Sequence, residues 1–322
     1  MKEKREPLGS GATPELSLVI PAFNEQGNLI PLYRALLSVL SELRMEWEII
    51  FSDDGSSDGT WGEIAELNSL DGRVRGVRLS RNFGHQYALM AGLSASRGDA
   101  AISMDADMQH PPELIPELVE LWRKGNLVVH TRRLDPVSTG PFKRWSSRLY
   151  YKVFSFLSGV PMRSGMADFR LLDRQTLDEI LKFPEEGLFL RGIVQWIGYK
   201  SATVEYLGRE RFSGASKYTM RKMVKFAWTG ITSFSLIPLR LGIYIGIITS
   251  LLAFAEMVYA VYMRLFTDSV VPGWASGVAL ISFLFGILFI LLGLIGEYIG
   301  RILIEVRRRP RFLVSQTIGI GS

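Results

Sequence analysis

The chain has 322 residues, of which 48% are hydrophobic and 21% charged, and its mean hydropathy is +0.17. That is too apolar for an ordinary soluble protein and too charged for one embedded wholly in a membrane, so a soluble part joined to a membrane part is the simplest reading. The absence of cysteine excludes disulfides, thiolate nucleophiles and cysteine metal sites, while a net charge of +5 suits anionic partners such as nucleic acid, phosphates or an anionic lipid surface.

Residues 1–14 are charged and then Gly/Ser/Pro-rich, without the apolar centre of a signal peptide, and read as a disordered leader. From residue 15 to about 131, short apolar runs alternate with helix-length segments. The runs are ELSLVIP, EWEIIFS, RVRGVRL, DAAISMD and NLVVHT. The helical segments are Gln26–Leu43, Asp58–Leu70, Gly84–Ser96 and Pro112–Lys124. This alternation predicts βαβ units and an α/β domain with a Rossmann-like, mainly parallel sheet. Ligands of such sheets bind beyond the carboxyl ends of the strands. PAFNE, SDDGSSDG and DADMQ each fall just past one of these ends.

Asp105 and Asp107 close an apolar run, and strand alternation would point both carboxylates the same way, with Ala106 between them. Two such groups repel unless a cation or a shared proton lies between them. With Gln109 two residues on, they offer the hard oxygen donors suited to Mg2+ or Mn2+ carried on a substrate phosphate. In SDDGSSDGT, Gly55 allows a tight turn, and Ser57 or Asp58 can cap a helix starting near Thr60. Capping leaves the adjacent Asp53 and Asp54 unexplained; carboxylates there can accept from a base imide or ribose hydroxyls. No phosphate-cradling GxxxxGK[ST] or GxGxxG string is present. His85 reads as a packed or capping residue.

Leu241–Met263 is a 23-residue apolar run holding one charge, Glu256, and Trp274–Gly296 is another holding none. Each reaches the roughly 20 residues that cross a bilayer. Arg221, Lys222, Lys225 and Arg240 precede the first run, and Arg301, Arg307, Arg308, Arg309 and Arg311 follow the second, whereas the connecting loop has Arg264 alone. The α/β domain is therefore expected in the cytoplasm. Segments 142–158 and 217–231 have basic amphipathic patterns and read as interfacial helices. Residues 307–322 read as a basic cytoplasmic tail. Gly242, Gly246, Gly286, Gly293, Gly296 and Gly300 suit close helix packing, and hence a homo-oligomer.

Taken in order, LSLVIPAFNE, DDGSSDGT, RNFGHQYALMAGL, MDADMQHPPEL, ADFRLLDR and RFSGASKY resemble the family 2 glycosyltransferases with the A-type nucleotide-sugar fold. More narrowly, the chain resembles the polyisoprenyl-phosphate glycosyltransferases, the group that includes dolichol-phosphate mannose synthase and the bacterial GtrB-like enzymes. The resemblance implies that Pro21, Ala22, Asn24, Glu25, Asp53 and Asp54 line the nucleoside pocket, with Asp105 and Ala106 also against the nucleotide sugar. It implies that Asp105, Asp107 and Gln109 hold the divalent metal, and that Asp168 joins Asp107 at the reacting centre. Arg132, Arg133, Lys143, Arg144, Ser147, Arg211, Ser216 and Lys217 become candidates for the acceptor phosphate and the leaving diphosphate. Two departures stand out: His110 replaces a second acid after the Gln, and Gly165-Met166-Ala167 replaces a stretch that often carries an Asp.

The implied reaction moves one sugar from a nucleotide donor, UDP-glucose first, to polyprenyl (undecaprenyl) phosphate, with inversion; nucleic acid is not an expected partner. GDP-mannose and a UDP-pentose stay open as donors, as does a non-catalytic membrane scaffold. A processive synthase lacks support, because Gln195-Trp196 is the nearest string to its Q-x-x-R-W motif.

Overall fold

The computed structural model describes residues 13–134, 166–183, 190–207, 237–266 and 273–320. Lys143, Arg144, Ser147, Arg211, Ser216 and Lys217, and both expected interfacial helices, lie outside the described residues. The chain divides into two units, one holding residues 1–152, 161–219 and 310–322, the other 153–160 and 220–309.

In the first unit the expected alternation is present. Strand β1 is Leu16–Ala22, helix α1 Leu29–Leu40, β2 Trp47–Asp53, α2 Thr60–Leu70, β3 Val74–Leu79, α3 His85–Ala95, β4 Ala100–Ser103, α4 Ile115–Arg123 and β5 Val128–Leu134. Beyond these lie β6 Met166–Asp173, α5 Arg174–Lys182, α6 Leu190–Trp196, β7 Ser201–Leu207 and, after the second unit, β8 Val314–Ile318. The sheet order is β7-β5-β6-β4-β1-β2-β3-β8. Pairs β1–β2, β1–β4, β2–β3 and β5–β7 are parallel, whereas β6 runs antiparallel between β4 and β5, and β8 antiparallel on β3.

Every residue of β1 and β2 is buried, as expected for strands covered on both faces. Leu16, Leu18 and Ile20 pack with Leu29, Leu32 and Leu36 of α1, Ile64 of α2 and Leu118 of α4. On the other face α3 lies close enough that a Cβ on Gly92 would strike Val19.

Two expectations change. β4 ends at Ser103, so Asp105 and Asp107 stand in a turn, where Met108 has φ 58°, and strand alternation does not set their directions. The tail is not a plain basic appendage, because 314–318 complete the sheet. Ser80 N–H donates to Leu313 O at 2.8 Å, Ser315 Oγ to Arg78 O at 3.1 Å, and Arg75 Nε to Gly319 O at 3.1 Å. Alternation of polar and apolar residues in five residues after an arginine run is too short a signal to read as a strand.

The second unit contains helices α7, Ile237–Phe266, and α8, Trp274–Arg307, both longer than the apolar runs that announced them. Each includes a 25-residue stretch long and apolar enough to cross a membrane, at mean hydropathy 1.9 and 2.2. Their apolar side chains face outward, including Leu252, Phe254, Phe289 and Ile290, and Glu256 is exposed among them. Within the hairpin, Gly242 backs onto Leu291, where a Cβ would come within 2.6 Å, the close approach for which small residues are used between membrane helices.

Opposite the carboxyl edge of the sheet, Glu48 is buried at 2% exposure. Its Oε1 accepts from Ser17 Oγ at 2.7 Å and Arg97 N–H at 2.8 Å; its Oε2 accepts from Arg75 Nη1 at 2.6 Å and Arg97 Nη2 at 3.0 Å. Burial alone would raise this carboxyl's pKa, but the Ser17, Arg97 and Arg75 donors together hold it below its ordinary value. A depressed folded-state pKa means that Glu48 stabilises the fold above its unfolded pKa, and that this contribution is lost as pH falls through the folded value. Glu48→Ala, which strands buried Arg75, is expected to cost about 3–5 kcal/mol. Thermal melts of the purified protein should show that gap at pH 7 and a smaller one near pH 4.

Candidate active site at the carboxyl edge of the sheet

The strand directions bring the polar motifs together. β1, β2, β3 and β4 are parallel and end on one edge, as do β5 and β7, while antiparallel β6 begins there. That edge therefore carries the loops after Ala22, Asp53, Leu79 and Ser103, the Arg132 and Arg133 end of β5, and Asp168 near the start of β6. Because β2 and β4 flank β1, the loops after β1 and β4 lie at the topological switch point, where open α/β sheets bind ligands.

The loops after β1 and β2 are sewn to each other. Asn24 N–H donates to Ser56 Oγ and Asn24 Oδ1 accepts from Ser57 N–H, at 2.9 and 3.0 Å. Glu25 N–H donates to Thr60 Oγ1 at 2.9 Å. Asp58 Oδ1 accepts from Thr60 N–H at 3.0 Å, one residue before the N-cap Gly59, so the expected side-chain cap becomes a turn bond leading into α2. Pro21 and Ala22 are buried beneath this loop, while Asn24 is exposed and Glu25 partly so.

Asp53 and Asp54 are 0% and 2% exposed, and three of their four carboxylate oxygens accept from the protein itself. Asp53 Oδ1 accepts from Ser56 N–H at 3.0 Å, and Arg78 Nε lies 3.2 Å from Oδ2 without hydrogen-bond geometry. Asp54 accepts from Phe83 N–H at 2.8 Å and Gly84 N–H at 2.9 Å. Burial pushes the Asp54 pKa up, against the pull of those two bonds. The pair expected to line the nucleoside pocket is thus placed behind the surface, holding loops. Gly55 performs its anticipated turn at φ +70°, and a Cβ there would meet the Arg81 backbone at 2.5 Å.

Asp105, Asp107 and Gln109 share the turn after β4. Gln109 N–H donates to Asp107 Oδ1 at 3.1 Å, and Arg133 Nη1 donates to Gln109 Oε1 at 2.6 Å. One candidate phosphate-binding arginine is thereby fixed to the candidate metal turn, whereas Arg132 pairs with Glu205 at 3.3 Å. His110 Nδ1 accepts from Asp105 N–H at 3.0 Å while its ring stacks on Phe169 at 5.2 Å. The histidine that replaces an acid therefore shapes the turn. Among the described residues no group of three or more acids or histidines could hold a metal alone. Asp105 Oδ1 is nevertheless a buried acceptor without a hydrogen bond. Two carboxylates with such an oxygen fit a Mg2+ or Mn2+ whose other ligands come from substrate phosphates.

Asp168 is 6% exposed and clamped. Oδ1 accepts from Arg170 Nη2 at 2.7 Å and Arg191 Nε at 2.9 Å; Oδ2 accepts from Arg191 Nη2 at 2.9 Å and Gln86 Nε2 at 3.4 Å. Burial would raise its pKa, but Arg191 first, then Arg170 and His85, hold it far below the usual carboxylate range. A carboxylate so held is a poor proton acceptor. Arg191, Arg170, His85 and Gln86 complete the site and were not singled out from the sequence as site residues. Arg191 lies in a short helix with no motif of its own, and its role exists only through the bidentate pairing. RNFGHQYALMAGL was the available signal for His85 and Gln86.

Because its folded-state pKa is depressed, the Asp168 charge persists at all pH values well above the ordinary carboxylate range. The pH profile of kcat/KM should therefore show no limb from Asp168 between pH 5 and 9. Asp168→Asn is expected to destabilise by about 3 kcal/mol, by stranding buried Arg170, and a thermal melt checks it.

Against this geometry, comparisons with known proteins agree. The model of glycosyl transferase family 2 matches residues 17–181, and that of the GtrB C-terminal hairpin matches residues 237–302. The chain is 39% identical over 306 residues to the uncharacterized glycosyltransferase YkcC of Bacillus subtilis, covering 95% of each chain. It is 38% identical over 304 residues to a bactoprenol glucosyl transferase of Shigella phage SfII, covering 94% of this chain and 98% of that one. Among solved structures, the mannosyltransferase PcManGT of Pyrobaculum calidifontis matches at 15% identity and TM-score 0.47, over 71% of this chain and 67% of that one. The chain belongs to glycosyl transferase family 2, as a transferase with an A-type domain and a GtrB-type C-terminal hairpin.

Proposed function

We propose that the protein transfers glucose from UDP-glucose to a polyprenyl phosphate, undecaprenyl phosphate in the first instance, with inversion and with Mg2+ or Mn2+, at the cytoplasmic face of the inner membrane. The observation that carries this reading is the turn after β4. It places Asp105, Asp107 and Gln109 beside Arg133 at the switch point of the sheet, in a chain that also has two helices able to cross a membrane. The bactoprenol glucosyl transferases at 38% identity support the sugar and the lipid. The basic flanks of the apolar helices support the cytoplasmic face.

The loop holding Pro21, Ala22, Asn24 and Glu25 is the natural seat for the nucleoside, with Asp53 and Ala106 behind it. Asp105 and Asp107, assisted by Gln109, would hold the divalent cation, which when bound neutralises charge on a leaving diphosphate that needs no proton. An oxygen of the lipid phosphate attacks the anomeric carbon as the bond to the diphosphate breaks on the opposite face. A phosphate monoester with its second pKa about 6 is mostly dianionic at neutral pH, so no general base is required. Asp168, ionised and clamped, positions Arg191 and Arg170 instead of taking a proton. Arg132 and Arg133, with the candidates outside the described residues, would hold the acceptor phosphate, for which arginine supplies bidentate contacts.

The test is label transfer in detergent from radiolabelled UDP-glucose, with GDP-mannose in parallel, to undecaprenyl phosphate. Organic-phase label from UDP-glucose is expected, lost on chelation and reduced at least about a hundredfold in Asp105→Ala. Label from GDP-mannose alone would replace the donor assignment. No lipid-borne label from these donors or from a UDP-pentose would sink the enzymatic reading and leave a scaffold.

A further inference from the structure

Asp54 and His85 stand at two ends of one short mechanical chain. Asp54 closes β2 and accepts from Phe83 and Gly84 N–H, so it fixes the last two residues before α3. Gly84 has φ +111°, a conformation that L side chains rarely adopt, and Gly55 touches the same loop at Arg81. The next residue, His85, opens α3. Its side chain is 44% exposed, and its Nε2 lies 3.4 Å from Asp105 Oδ1 and 3.8 Å from Asp168 Oδ2. Two carboxylates, one from the turn after β4 and one from β6, thus converge on one imidazole carried by a third element. The following residue, Gln86, also reaches Asp168.

Resting on the transfer reaction proposed above, we infer that His85 is a residue of the donor site, donating from its ring N–H to the sugar diphosphate between Asp105 and Asp168, and that Asp54 is the positioning residue that aims it. Asp105 and Asp168 lie on the Nε2 side of the ring at ion-pair distance, so its N–H is aimed into the gap between them. Asp54 does not read the nucleoside. Its two oxygens are spent on backbone N–H groups, and its 2% exposure leaves no surface for a base or a ribose. A carboxylate is well suited to this task, since it can accept two neighbouring N–H groups at once, whereas an amide offers one oxygen.

A double-mutant cycle tests this, using the full-length detergent-purified protein with the UDP-glucose and undecaprenyl phosphate assay, calorimetric binding of UDP with Mn2+, and thermal melts. His85→Ala removes one hydrogen bond to a charged oxygen and should lower kcat roughly ten- to hundredfold. The KM for the lipid and the melting temperature should change little. His85→Asn, which keeps an N–H donor, should recover part of that loss. Asp54→Asn should lower kcat similarly, and the double variant should be no slower than the slower single variant, because both act through one ring. Additive losses would overturn the coupling. So would an Asp54→Asn variant of normal kcat whose UDP binding is weakened, which would return Asp54 to the nucleoside pocket. Normal kinetics in His85→Ala would remove His85 from the donor site. If Asp54→Asn melts too low to assay, Gly84→Ala, which strains the same loop without touching either side chain, takes its place and should reproduce the His85→Ala loss. Wild-type protein that makes no lipid product would count against the reaction itself; active wild type with unaffected variants would count against this inference alone.

Discussion

The parallel run of β1, β2, β3 and β4 is the constraint on which everything else depends. A parallel strand must return through a crossover, so each strand delivers its following loop to the same edge. Four sequence-distant loops thereby become neighbours without any contact being designed at long range. The antiparallel insertion of β6 adds what parallel strands cannot, a strand whose beginning lies at that edge. Asp168 reaches the site for this reason, with Ser103 Oγ donating to its main-chain oxygen at 2.5 Å.

Charge is arranged in matched layers. Asp168 is buried and answered by two guanidiniums, one of them bidentate, which leaves the cluster with a net positive charge. Asp105 keeps a buried oxygen without a hydrogen bond, an arrangement that suits a cation. Glu48 repeats the logic at the opposite edge, with Arg75 and Arg97 around it. Buried ion pairs seldom add much to stability compared with apolar packing, but losing one partner is costly. Clusters at both edges therefore fix geometry, the first around the loops of the carboxyl edge and the second around the seam where Arg75 reaches the returning tail.

The two acidic loop motifs differ in how directly they present their side chains at the edge. SDDGSSDG supplies structure: a turn at Gly55, the bond of Asp58 to Thr60 N–H ahead of α2, and the clasp of Asp54 on the loop before α3. DADMQ presents its side chains to the edge, although in a turn held by His110 instead of at a strand end. A motif can therefore be diagnostic of a family while its acids do opposite jobs, and burial separates the two.

Much of this was legible in the residues alone. Apolar runs of strand length separated by helical segments dictated the α/β core, since each run must be buried on both faces. Two 23-residue apolar runs with basic flanks dictated the two long apolar helices, because length and polarity are local properties. Asp105, Asp107 and Gln109 declared themselves as hard oxygen donors at the end of a strand. Tertiary structure alone decided the rest. β8 became a strand only because β3 offers an unpaired edge, and five residues carry no such signal themselves. Asp53 and Asp54 turned inward, where backbone N–H groups from residues 56, 83 and 84 claim three of their four oxygens. Arg191 became part of the site because a helix 23 residues further along the chain sets it across Asp168. Sequence records which groups are available; which atoms they meet is settled only when distant segments compete for the same hydrogen bonds in a space closed to water.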